Sequence, residues 1–180
     1  MTVLLLAFAL AGCTGDDPPL ESSAVPEGDW PCESCDGACM RAFDSTPEHS
    51  HIDGDLEYEE EPPFGGNHNP CWTTWGAHEE AVPAENWLHN LEHGGVVFLY
   101  DCAGSCDEEK AQLKAYTATL PAGRWVLTPY APSKFPFSVV SWGQRLELGC
   151  FDLPAMQLFF DQNVANGRED VTGNPGSSCM

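Results

Sequence analysis

His89-Asn90-Leu91-Glu92-His93-Gly94-Gly95-Val96-Val97-Phe98-Leu99-Tyr100 decides the fold of this chain. The second half is a continuous apolar run of strand length bounded by turn residues, which predicts a buried strand. The first half ends a helix. Reading back from the glycine stop, Pro83 stands at a first turn and Glu85 near the start, so the spacing predicts a helix over 83–93. On a helical wheel Ala84, Trp87, Leu88 and Leu91 share one arc, and His89, Glu92 and His93 lie on the other side. The histidines are outside the anchoring stripe and are expected to face water or a ligand. Four residues apart, His89 and His93 share a helical face, with Glu92 one turn from His89. A short helix presents two imidazoles to one metal ion in this way.

Working outward, Asp107 to Leu120 reads as an amphipathic helix stopped by Pro121, and Trp125 to Tyr130 as a second strand. Phe137 to Trp142 and Arg145 to Leu148 predict a hairpin across Gly143-Gln144, and Leu153 to Val164 a last helix before a polar tail. Upstream, residues 31–76 are dense in Pro, Gly, Asp and Glu and are expected to be mostly loops pinned by cysteines. Pro62-Pro63-Phe64-Gly65-Gly66-Asn67-His68 is a turn that puts His68 on a loop. The expected fold class is α+β: a small mixed β-sheet with flanking helices and a loop-rich, disulfide-stapled N-terminal part. Residues 31–180 suffice for a single domain with a real core.

The N-terminal end has a different character. Val3 to Leu10 is an apolar run of signal-peptide length, too short to span a bilayer, and Leu10-Ala11-Gly12-Cys13 resembles the bacterial lipobox. Residues 1–12 are thus expected to be a lipoprotein signal peptide and Cys13 the lipidated residue. No Lys or Arg precedes the run, and the expectation is a start upstream of Met1 or a misassigned start. Residues 13–30, rich in Pro, Ser, Asp and Glu, suit a flexible acidic tether. The expected place is the cell envelope, with a membrane held through the lipid anchor.

Seven Lys and Arg stand against 28 Asp and Glu, a formal net charge of −21. Such a surface repels phosphate backbones, which excludes nucleic acid as a partner. It is compatible with cation binding without arguing for it. Apart from Cys13 there are eight cysteines: Cys32, Cys35, Cys39, Cys71, Cys102, Cys106, Cys150 and Cys179. An even count in an exported chain predicts disulfides, with pairings that sequence cannot assign. Cys32, Cys35 and Cys39 form a tight cluster whose spacing also suits zinc or an iron–sulfur centre, with the export signal favouring disulfides. Cys102 and Cys106 flank a short loop and can close on each other or reach that cluster.

The six histidines (His49, His51, His68, His78, His89 and His93) all precede the first long strand. Zinc and copper sites are built from neutral imidazoles held by outer carboxylates or carbonyls. His89 and His93 with a third histidine form such a candidate, with Glu92 expected to orient an imidazole from outside the ligand set. Asp53 and Glu79 are further candidates for that outer role. His-x-x-Glu-His also matches the inverted zinc-peptidase signature, in which the glutamate activates water. The context fails, because Gly94-Gly95 stops the helix at once, where such sites sit mid-helix. No catalytic residue is assigned. Three classes stay open: an exported metal-binding protein, a metal-dependent hydrolase, and an interaction module with structural histidines.

Tyr58, Pro62-Pro63, Gly66, His68, Gly76, His89 through Gly94, Pro129 and Ser141-Trp142-Gly143 together resemble a bacterial family of exported or membrane-anchored domains of unknown function, the DUF3105 type. Where that family usually has Ser-Gly before the matching histidine this chain has Gly65-Gly66, and Ala77 stands where a tyrosine is usual. Neither departure touches a candidate ligand. The resemblance supplies no activity. It supports His51, His68, His89 and His93 as the metal set, with His49 and His78 outside it.

Overall fold

The apolar run becomes β3 (Val96–Tyr100), one of the two inner strands of a six-stranded mixed sheet. The computed structural model describes residues 38–42, 49–102 and 104–169. In chain order the other elements are β1 (Ala38–Ala42), β2 (Gly76–Ala77), α1 (Ala84–Glu92), α2 (Asp107–Thr117), β4 (Trp125–Pro129), β5 (Phe137–Ser141), β6 (Gln144–Leu148) and α3 (Leu153–Asn163). The sheet runs β1-β6-β5-β3-β4-β2. β3 and β4 are parallel, joined through α2 as a parallel pair requires. β3–β5, β5–β6 and β1–β6 are antiparallel, and β2 adds to β4 in parallel.

The two faces of β3 explain its unbroken hydrophobicity. Val96 and Phe98 point into one core with Leu113 of α2 and with Met156, Phe159 and Phe160 of α3. Val97 and Leu99 point into the other, against Trp87, Leu88 and Leu91 of α1. A strand covered by helices on both sides has no polar face to display. Each fully buried leucine contributes about 1.5–3 kcal/mol, so these residues anchor α1 firmly against the sheet. No helix among the described residues is long and apolar enough to cross a membrane.

Several expectations need correction. The described residues of the 31–76 stretch are mostly loop, and two short strands not expected there, β1 and β2, extend the sheet at its two edges. The hairpin turns through Trp142-Gly143 rather than Gly143-Gln144: Ser141 pairs with Gln144, and Gly143 takes a positive φ of 77° at the second turn position, where glycine is favoured. The polar side of α1 does not face water, because every residue of the helix is buried. Cys102 and Cys106 close on each other, and Cys71 is disulfide-bonded as well. The signal peptide, Cys13, the tether, Cys32, Cys35 and Cys179 lie outside the described residues, and Cys39 is described only as backbone in β1.

Candidate metal centre

The loop before β2 folds over the polar side of α1, and the helix side chains fasten it there. Asn90, with no exposed surface, accepts from the Thr73 amide and donates to the Thr73 carbonyl, both at 3.0 Å. Asn86 donates to the Cys71 carbonyl at 2.7 Å. The Asn69 amide in turn donates to the carbonyl of Glu85 at 2.8 Å. A strand-like bridge between His51 and His68 ties in the earlier segment, with the Ile52 amide donating to the His68 carbonyl at 2.8 Å. Two loop segments and one helix thereby converge.

Where they meet, one ligand atom each from His51, His68, His89 and Glu92 lies within 4.8 Å of all the others. The chemistry of the donors is well defined. The Nδ1 of His68 lies 2.8 Å from the Gly66 carbonyl, and the Nδ1 of His89 lies 2.8 Å from the Asn69 carbonyl. A carbonyl can only accept, so both Nδ1 atoms carry the hydrogen and both Nε2 atoms, when the rings are neutral, present lone pairs. The Nε2 of His68 points at Glu92 Oε2, 3.0 Å away, and that of His51 lies 3.4 Å from the same oxygen.

The electrostatics disfavour charge on His89 and His93 and favour it on Glu92. Burial pushes His89 down to about 4, against the partial support of its bond to Asn69, and the neighbouring imidazoles push the same way. Burial also lowers His93, with Glu92 and Glu169 opposing it. For Glu92, burial resists ionisation, but the hydrogen bond and field of His68 with the fields of His89 and His51 prevail and hold it at about 2. Trp72 packs on His89 and His93, and Trp142 stands edge-on to His49 and His68.

Sequence reasoning set Glu92 outside the ligand set, and the geometry puts it among the converging atoms. The groups that orient the imidazoles of His68 and His89 are the carbonyls of Gly66 and Asn69, which no side-chain pattern can reveal. His93 is not in the four-residue group. Its Nε2 lies 3.2 Å from His89 Nε2 and 4.0 Å from Glu169, and Glu92, His93 and Glu169 form a second converging group. His49, expected to be irrelevant, sits with its Nε2 3.4 Å from Glu92 Oε1. His78 is half-buried, donates to the Thr74 carbonyl and stays apart from both groups. Glu169 carries no motif, and only its fold position identifies it.

Residues 49–179 match the model of a family described as protein of unknown function, DUF3105. The chain belongs to that family. No curated protein and no solved structure matches it. The DUF3105 match contains all six histidines together with Glu92 and Glu169, so both converging groups lie within the family region.

Proposed function

We propose that this DUF3105 domain binds a transition-metal ion, zinc or copper, through the Nε2 atoms of His51, His68 and His89 and a carboxylate oxygen of Glu92. One observation carries the reading: His68, completely buried, faces an acceptor on each ring nitrogen. A neutral imidazole has one N–H, and the Gly66 carbonyl takes it. The second nitrogen then meets a carboxylate lone pair at 3.0 Å, a contact that needs either a second proton or a metal ion between the two, and only a metal ion also engages His51 and His89. Such an ion supplies positive charge to three imidazoles at once. Bonds of about 2.0–2.2 Å in a tetrahedral set hold ligand atoms roughly 3.3–3.5 Å apart. The 3.0 and 3.4 Å contacts of Glu92 with His68 and His51 are close to that spacing. Three imidazoles and one carboxylate suit zinc or copper better than magnesium or calcium.

Glu92 is engaged with His51 and His68, which argues against its serving as the water-activating base of a peptidase. The lipobox-like Leu10-Ala11-Gly12-Cys13 and the acidic stretch after it support an exported, lipid-anchored protein of the bacterial envelope.

The test is metal uptake by the full chain after chelator treatment, titrated with zinc or copper(II). His51 has a 45% exposed side chain and can be truncated without opening the core. His51→Ala is expected to weaken the first equivalent by more than the roughly 10–100-fold that loss of an outer hydrogen-bond partner costs. Its circular dichroism should stay that of the parent. Absence of uptake by the unmodified chain, or unchanged affinity in the variant, refutes the reading.

A further inference from the structure

We infer that Glu92 is shared between two cations, and that a second divalent ion is held by Glu92, His93 and Glu169. The inference rests on the single-ion reading above and adds a site to it. One ligand atom from each of these three residues lies within 4.8 Å of the other two, and Glu92 belongs to both converging groups. A carboxylate has two oxygens and about four lone-pair sites, enough to serve two ions. Paired-metal sites hold their ions about 3.5–4 Å apart, a separation one bridging carboxylate spans.

The chain is built to bring Glu169 there. After α3, Ala165 donates its amide to the Gly94 carbonyl at 2.9 Å, and Glu169 donates its amide to the Glu92 carbonyl at 2.8 Å. Residues 165–169 thus lie along the turn that ends α1. Between those bonds Gly167 passes so close that a Cβ would collide with the backbone of Gly94 and Glu92. That contact leaves no room for a side chain. It fixes the path of the segment, and with it the position from which the Glu169 carboxylate meets His93. On the other side, Arg124 donates to the His93 carbonyl at 3.3 Å, and Trp72 packs against the His93 ring.

The two positions differ in chemistry. The first offers three imidazoles and a carboxylate, the second two carboxylates and one imidazole. The second is the harder donor set, and with three protein ligands it keeps coordination positions for water or a ligand. It takes zinc or manganese(II) more weakly than the first position takes zinc.

Calorimetric titration of the metal-free full chain with zinc separates the possibilities. Two equivalents are expected, the second weaker. Glu169→Gln, at a half-exposed carboxylate, and independently His93→Ala should each remove the weaker equivalent and retain the tighter one. A single equivalent in the unmodified chain, weakened by His51→Ala to the extent given above, overturns the second site and leaves the first standing. Two equivalents persisting in both Glu169→Gln and His93→Ala also overturn it. No equivalents at all overturns both sites.

Discussion

Glu92 and His51 meet at one point under opposite constraints. His51 is 45% exposed at its side chain, whereas the Glu92 side chain is 1% exposed and surrounded by imidazoles. An ionised carboxylate buried so deeply must be compensated, or it costs several kcal/mol. Exchanging it for an amide of the same shape removes the charge and keeps the volume. Glu92→Gln should lose the weaker equivalent of zinc and weaken the tighter one, since His51, His68 and His89 are retained. Parent-like stoichiometry in that variant would remove the carboxylate from both sites. Of these residues, the sequence made His89, Glu92 and their shared helix legible, because helical spacing is a local property. It could not show that Glu92 joins the converging atoms, because that depends on His51 and His68 arriving from loops whose backbone leaves no periodic trace. It could not separate His93 from His89 either. Both share a helical side, and only the return of the chain at Glu169 gives His93 a converging group of its own.

α1 departs from the usual amphipathic helix. Its apolar side packs on the sheet, and its polar side is sealed by the loop that Asn86 and Asn90 hold. Truncating Asn90 leaves the amide and carbonyl of Thr73 buried without their partner. Asn90→Ala should therefore destabilise the chain by about 1–3 kcal/mol. Denaturant unfolding measures that cost. Because the same loop carries the Asn69 carbonyl that fixes His89, zinc affinity should fall in parallel. A stability loss with unaltered zinc affinity would disconnect the loop from the metal position. The ends of α1 were readable from Pro83 and Gly94-Gly95, since those residues act through their own backbones. What covered the polar side was not, because a helical wheel records which residues are alike and never what lies against them. β1 and β2 escaped for a related reason. They are edge strands, one only two residues long, and their pairing is set by partners far along the chain. At the hairpin, glycine marked the turn but not its register.

Across the whole molecule, all four tyrosines resist ionisation. Burial raises Tyr58, Tyr100 and Tyr130, and pushes Tyr116 up to about 12. Carboxylates add to this at Tyr58, through Glu85 and Glu61, and at Tyr130, through its bond to Glu61. A folded-state value raised above the ordinary one near 10 gives stability that is fully present below pH ~10. That stability is lost as pH climbs through the folded value. Alkaline titration should therefore show phenolate absorbance rising late and together with loss of secondary structure. Phenolate appearing near the ordinary value with the dichroism intact would contradict it.

The return of residues 165–169 to the end of α1 has a topological consequence. His51, His68, His89 and Glu169 belong to four stretches of chain that together span most of the domain's length, and Glu92 is the knot between them. Cations at that knot would act as reversible cross-links, closing long loops that an unfolded chain must otherwise leave open. The gain is entropic and grows, slowly, with the length of chain enclosed. The same few atoms that recognise an ion would thereby report whether the chain, from its first loop to its last turn, has been assembled.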